Sequence, residues 1–431
     1  MINSGCFTSP RIRLETILRY SQHGKKSSIV LATLVCLLVL LPCQQLQAQP
    51  GHDDPAWVTT WATSVSTLPP STPPESSLQN QTVRLIVHTS VGGDAVRLRF
   101  ANTHGDKPVT IGSASIALQD DDSPSSAHLL QPITFAGQAN ITIPRGAVVF
   151  SDPLSMNIPS DDNLAVSLYI EGDSGFVTAH ELSNQISYIS STGDYSDDAA
   201  LPVASETESW PFLTAIDVIP SQPTSAIVTL GDSITDGWGS TMSANHRWPN
   251  FLARRLYQDD RSKDYAVVNA GISGNRVTTE QNPTFGQNLQ ARFERDVLAL
   301  SNISHIILLE GVNDIGMSFR SDHPVSASDI IAGYHQIIAR AHARGIKVIG
   351  ATLLPYEDAG YYSEAGNTVR QEVNTFIRSS GAFDGVIEFS RAVADPTNAN
   401  RIRAEFTADN LHPNDDGYAA MAEIIDLRLF Q

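Results

Sequence analysis

Cysteine is nearly missing from this 431-residue chain. The three it has, Cys6, Cys36 and Cys43, all lie close to the N-terminus. Residues 44–431 therefore hold no disulfide and no thiol chemistry, and a chain of this size can stand on its hydrophobic core alone. Positive charge is also scarce. Lys and Arg number 28 against 46 Asp and Glu, for a net charge of −18. That balance speaks against nucleic acid or an anionic membrane surface as a main partner. Nor is the apolar run at 29–41 long enough to cross a bilayer comfortably.

That run has a telling setting. Arg11, Arg13, Arg19, Lys25 and Lys26 precede it, and Pro42 and then Leu46-Gln47-Ala48 follow. A basic region, a short apolar region and a small residue at a cleavage point make a secretory signal peptide. The expectation is a signal peptide at 1–48, cleaved after Ala48, and a secreted or periplasmic protein with no stable membrane insertion. An uncleaved anchor is the alternative; Pro42 fits poorly with a lipid anchor on Cys43. Residues 49–56, with His52, Asp53 and Asp54, read as a solvated polar linker.

Helical periodicity is missing from 57–219. Short strands are expected instead at 57–64, 82–88, 95–101, 113–118, 133–135, 140–143, 147–150, 164–170, 175–179 and 185–190. Val91-Gly92-Gly93-Asp94 predicts a hairpin joining the second and third of these. A Pro/Ser-rich loop fills 68–77. Many short strands predict an all-β sandwich, jelly-roll-like, over 57–220. Asp120-Asp121-Asp122 reads as a solvated turn, because no ordered calcium-ligand spacing surrounds it.

Pro220-Ser221-Gln222-Pro223 marks a change of pattern. From 224 to 431 strands alternate with helices, which predicts a parallel α/β sheet of five strands. The strands are expected at 226–230, 266–269, 305–309, 347–353 and 386–389. The helices are expected at 248–257, 289–299, 327–343, 364–379 and 415–429, with Gly345 just past the end of the third.

Four stretches of this half carry chemistry. The β-branched run Ile227-Val228-Thr229-Leu230 breaks at Gly231-Asp232-Ser233, which puts a Ser at a strand's carboxyl end, where open α/β sheets place their ligands. A second strand ends in Asn269-Ala270-Gly271-Ile272-Ser273-Gly274-Asn275, a Gly-rich loop that can present backbone N–H groups. A third ends in Gly311-Val312-Asn313-Asp314, and an Asn there can donate to an anion. The fourth is Asp409-Asn410-Leu411-His412-Pro413, before the final helix. A carboxylate three residues from a His can fix its tautomer and leave the other nitrogen free to take a proton from a Ser. Each stretch alone reads more simply as a turn, a helix cap or a surface loop; together they supply a full acyl-transfer set.

This set resembles the SGNH hydrolases, also called GDSL-type esterases. The resemblance covers 224–431 and implies a nucleophile Ser233 with Asp409 and His412 completing a triad. It implies an oxyanion hole from the Ser233 and Gly271 N–H groups and the Asn313 side chain, with no metal or other cofactor. Gly-Asp-Ser-Ile stands here where the family has Gly-Asp-Ser-Leu, a volume-conserving change. Asp232, Asn275, Arg276 and Asp314 read as groups that fix the loops. The opening Trp57-Val58-Thr59-Thr60-Trp61-Ala62-Thr63 and the stretch from Asn80 to Gly93 are similar to a secreted bacterial two-domain subgroup, which includes acyl-hydrolases found alongside xylan-degrading enzymes. That resemblance implies acetyl or other short-chain esters on plant-type polysaccharide as substrate. The alternatives are a lipid esterase or lysophospholipase of the same mechanism, and a carbohydrate-binding surface protein with an idle hydrolase domain. The intact Ser, Asp and His argue against the last. Trp57, Trp61 and Trp210 are candidates for sugar stacking, although Trp is more often core. Oligomeric state is left open.

Overall fold

The computed structural model describes residues 56–67, 77–120, 127–259, 264–280, 282–318 and 324–431. The expected signal peptide, most of the linker at 49–56, the loop at 68–76 and Asp121-Asp122 lie outside them. The described residues belong to one compact unit, Pro55–Gln431.

Residues 58–218 form an all-β sandwich. One sheet sets Leu213–Val218 between Val58–Ala62 and Gly93–Ala101, with Val148–Phe150 and Leu154–Ile158 against the far side of Gly93–Ala101. The other runs in the order Val203–Thr207, Ser187–Thr192, Gln79–His88, Asn163–Asp173, Val109–Gln119, Ala127–Pro132. Alternate residues such as Val83, Leu85 and Val87 from one sheet and Val96, Leu98 and Phe100 from the other fill a shared core, as two-sheet packing requires. No helix occurs here among the described residues.

The hairpin expected across 91–94 does not form. Gln79–His88 pairs with Asn163–Asp173 and Ser187–Thr192, whereas Gly93–Ala101 joins the opposite sheet. The link at 89–92 crosses the sandwich and is pinned on the way. Thr60 Oγ1 donates to the Val91 carbonyl at 2.6 Å, and the Gly92 N–H donates to Ser160 Oγ at 2.7 Å. The two glycines serve close approach rather than a tight turn. A Cβ on Gly92 would lie 2.3 Å from the Ile158 carbonyl oxygen, and one on Gly93 2.4 Å from that of Ile219. The strand expected at 133–135 reduces to a bridge between Phe135 and Gln138, because Ala127–Pro132 takes the sheet edge.

The second half is a parallel five-stranded sheet: β1 (Ser225–Gly231), β2 (Tyr265–Gly271), β3 (Ile303–Leu309), β4 (Lys347–Ala351) and β5 (Gly385–Ile387), in the order β2-β1-β3-β4-β5. The helices are α1 (Ser233–Asp236), α2 (Trp248–Gln258), α3 (Leu289–Phe293), α4 (Val312–Ser318), α5 (Ala327–His342), α6 (Glu364–Ser379), α7 (Phe389–Val393) and α8 (Asp415–Glu423). α5 opens on a capping box between Ser326 and Asp329, and Ser363 caps α6, contacts that each contribute about 1 kcal/mol. After α5 the chain turns at Gly345, φ +72°. The last helix is shorter than expected and gives way to a 3₁₀ turn at Leu427–Phe430.

Register sets the site. Gly231 of β1 lies level with Gly271 of β2 and Leu309 of β3. Three chain segments therefore leave the sheet at one edge and one height. The sandwich packs against this sheet at the starts of its strands, with Ala226 of β1 and Ala266 of β2 buried in its core cluster.

Candidate active site

Ser233 opens α1 at the end of β1. Asp232 caps that short helix by accepting the Ile234 N–H at 3.0 Å, and Gly237 closes it at φ +111°. As the first helical residue, Ser233 has no intrahelical acceptor for its own N–H.

His412 reaches Ser233 from the loop before α8. Its Nε2 lies 2.8 Å from Ser233 Oγ, and its Nδ1 lies 2.6 Å from Asp409 Oδ2. The other Asp409 oxygen accepts the N–H groups of Leu411 and His412 at 3.0 and 2.8 Å. The loop thus folds around its own carboxylate. Since a carboxylate only accepts, Nδ1 carries the ring proton, and Nε2 is left to accept from the Ser233 hydroxyl. Burial pushes the Asp409 carboxyl upward, but the hydrogen bonds and charge of His412 outweigh it and hold the carboxyl well below its ordinary range.

Asn313 is the second residue of α4, after β3. Its Nδ2 donates to the Asn275 carbonyl at 3.1 Å, and its Oδ1 accepts the Tyr361 hydroxyl at 3.2 Å. This fixes which way the amide points and leaves one N–H of Nδ2 to spare.

Gly271 does not offer the N–H expected of it. That N–H donates to Asn269 Oδ1 at 2.8 Å. The glycine is needed for another reason: a Cβ would sit 2.4 Å from the Asp236 backbone nitrogen. Four residues on, the Asn275 N–H closes a turn onto the Ile272 carbonyl at 3.1 Å, with Gly274 at φ +78°. This is the third position of a type II turn, which demands glycine. The Gly274 N–H has no acceptor among the described residues. The turn residues Ser273-Gly274-Asn275 were legible as a glycine turn; which N–H stays free was not.

The loop-fixing residues hold the site from behind. Asp314 accepts from the Val277 and Thr278 N–H groups and from the Thr278 hydroxyl. Asn275 Nδ2 donates to the carbonyls of Phe285 and Gln287. Arg276 is buried; burial lowers its pKa, and the Asp314 charge opposes that shift. Arg292 was not foreseen. It is fully buried and donates to Asn275 Oδ1, Ser64 Oγ and the carbonyls of Ala270 and Gly231, all within 3.0 Å. Burial pushes the Asp232 carboxyl up to about 7. Burial also drives Glu310 well up, and the neighbouring Asp232 charge adds to this against Arg292.

The tryptophans separate into two kinds. Trp61 and Trp210 are both 7% exposed and meet edge to face at 5.0 Å in the interior. Trp57 is half-buried against the Arg97 guanidinium. Trp238, not singled out from the sequence, is 46% exposed, its ring centre 6.3 Å from that of His412. A cleft lined by Trp61, Arg247 and Asn269 runs between the sandwich and the α/β half. Asp236 and Gly271 also line it, whereas Ser233 and His412 do not.

A parallel sheet whose strand ends gather a Ser–His–Asp file, an Asn donor and a glycine turn defines the SGNH type of α/β hydrolase. Residues 229–420 match the GDSL-like Lipase/Acylhydrolase family. The chain thus carries a GDSL-like hydrolase domain and is a carboxylic ester hydrolase. No curated protein matches it. Among solved structures it is similar to a putative lipolytic protein of the G-D-S-L family from Desulfitobacterium hafniense DCB-2, at 21% identity and TM-score 0.37, over 48% of this chain and 99% of that one. An acetyl xylan esterase, AlAXEase, is 22% identical over 46% of this chain and 96% of its own, TM-score 0.36. A carbohydrate acetylesterase from Sinorhizobium meliloti is 15% identical over 46% and 95%, TM-score 0.36.

Proposed function

We propose that the protein is an exported serine esterase that removes acetyl or other short acyl groups from plant-type polysaccharide through an acyl-enzyme. The observation that carries the chemistry is the unbroken file Ser233 Oγ, His412 Nε2, His412 Nδ1, Asp409 Oδ2, with spacings of 2.8 and 2.6 Å. His412 takes the Ser233 proton as Oγ attacks the ester carbonyl, and Asp409 stabilises the imidazolium. The oxyanion lies among the N–H groups of Ser233 and Gly274 and Nδ2 of Asn313, each such donor contributing about 3 kcal/mol to the transition state. His412 then protonates the departing alcohol, and water repeats the cycle on the acyl group.

The exposed indole of Trp238 beside His412 supports a sugar as the alcohol, since an open aromatic face can carry an apolar ring face while its edge stays wet. The basic and apolar pattern of residues 11–48 supports export. The test is hydrolysis of p-nitrophenyl esters of increasing acyl length, with acetylated xylan alongside, by the wild type and by Ser233→Ala. Acetate release from the polymer and a sharp preference for acetyl, both absent from Ser233→Ala, are expected. Activity that rises with acyl length and spares the polymer would make the enzyme a lipid esterase. Ester hydrolysis surviving in Ser233→Ala would overturn the assignment of the nucleophile.

A further inference from the structure

A second histidine–aspartate pair lies beneath the site, and the reaction above leaves it unused. His180 comes from the sandwich, at the end of the strand Thr178–His180, and its side chain is 3% exposed. Its Nδ1 lies 2.8 Å from the Ser64 carbonyl and its Nε2 2.9 Å from Asp236 Oδ1. A carbonyl and a carboxylate both only accept. Each ring nitrogen must therefore carry a proton, which makes His180 a buried imidazolium. Burial opposes the charge, but the charge and hydrogen bond of Asp236 outweigh burial and raise the pKa above its ordinary value, with the Arg247 charge acting the other way. Trp210 flanks the ring at 5.5 Å between centres.

Asp236 is the last residue of α1, three beyond Ser233. Its second oxygen, Oδ2, accepts both the N–H and the hydroxyl of Ser273, at 2.9 and 2.8 Å. Ser273 is the residue before Gly274 in the glycine turn. One carboxylate thus ties the nucleophile's helix to the turn that offers the Gly274 N–H, and a histidine of the other module holds that carboxylate in place. Ser64 strengthens the junction: its carbonyl anchors His180, and its hydroxyl receives Arg292 at 3.0 Å.

We propose that His180 is a positioning residue for the hydrolase reaction, acting through Asp236 on the Ser273-Gly274 turn, so that the sandwich forms part of the catalytic centre. The proposal rests on the reading of Ser233 as nucleophile. Without His180, Asp236 becomes a buried carboxylate with one oxygen unpaired, a costly state that is relieved by protonation or by movement. Either change loosens Ser273 and shifts the neighbouring donor. Misplacement by as little as 1 Å costs on the order of 10²-fold in rate.

The experiment compares wild type, Ser233→Ala, His180→Ala, His180→Gln and Ser273→Ala. Two readouts are taken: kcat and KM on p-nitrophenyl acetate, and the rate at which a fluorophosphonate labels Ser233. Labelling needs the activated serine and the oxyanion donors but not the right substrate. His180→Ala is expected to lose 10- to 100-fold in kcat and in labelling rate, with KM within about twofold of wild type. His180→Gln should recover part of the loss, because its amide can still donate to Asp236. Ser273→Ala, which keeps the backbone donor and loses the hydroxyl, should fall several-fold. If His180→Ala does not fold, as judged by near-UV circular dichroism, His180→Gln and Ser273→Ala decide. Folded variants with wild-type kcat and labelling overturn the proposal, as does a change confined to KM. A wild type that labels but hydrolyses none of the esters sinks the substrate reading and leaves this test intact. A wild type that does not label sinks the nucleophile assignment and the proposal with it.

Discussion

The side chain of Asn313 donates to the backbone carbonyl of Asn275 at 3.1 Å. The amide proposed above as an oxyanion donor is thereby bolted to the glycine turn that follows β2. Asn313→Ala removes the donor and the bolt together. It should lower kcat by roughly 10²–10³-fold with KM little changed, read by steady-state kinetics. Tyr361→Phe leaves the donor but frees the amide to rotate, and a smaller, several-fold loss is expected in the same assay.

Gly274 and Gly271 should fail differently. Alanine at Gly274 must adopt φ +78° and meet the Phe285 ring at 2.5 Å. Its left-handed backbone costs about 1 kcal/mol, and the shifted turn should cost kcat at least tenfold while the protein still folds. Alanine at Gly271 meets the backbone nitrogen of Asp236 at 2.4 Å, which no rotamer relieves, so its principal effect should be a lowered Tm. Thermal melts beside kinetics separate the two. Equal effects on both quantities from the two variants would refute the distinction.

Asp409→Asn keeps the shape of the loop and removes the charge facing His412. A neutral amide can present N–H to Nδ1 and so select the wrong tautomer. The expected loss in kcat is up to about 10⁴-fold, with the fold intact by circular dichroism. A loss below tenfold would mean that Asp409 only shapes its loop.

Asp232 gives a pH signature. Its folded pKa is pushed up to about 7 by burial, above an unfolded value near 3.9. The folded state therefore holds a proton that the unfolded state has released, and stability falls as pH rises between these values. Above pH 7 the full penalty is present, on the order of 4 kcal/mol at about 1.4 kcal/mol per unit. Asp232→Asn keeps an oxygen for the Ile234 N–H and abolishes the titration. Its Tm should exceed that of wild type by several degrees at pH 8 and match it at pH 4. The opposite order would show that the carboxylate is stabilised where it lies.

The parallel sheet was legible because its strands are buried on both faces and read as unbroken runs such as Ile306-Ile307-Leu308-Leu309. The edge from which Ser233 and Asn313 emerge followed from those runs ending in Gly. His180 was not legible. It acts on Asp236 across 56 residues, and nothing in its local sequence marks a buried charge. The strand Leu213–Val218 escaped for a related reason. Its Asp217 reads as a surface residue, yet it is buried and receives the hydroxyls of Thr59 and Ser301. Gly92 and Gly93 misled because close packing and turning select the same residue.

The place of Leu213–Val218 in its sheet governs how the chain can be assembled. Val58–Ala62 pairs there with the register Val58↔Val218. Among the described residues, the first strand of the sandwich thus has no strand partner until residue 218 has left the ribosome. Contacts this distant in sequence are slow to form. During synthesis the early strands must wait with an open edge, while the serine-bearing strand follows only seven residues behind the one that closes the sheet. Completing the sandwich and beginning the catalytic sheet are therefore nearly the same moment in translation, and a truncation that ends before residue 213 leaves neither half able to fold as seen here.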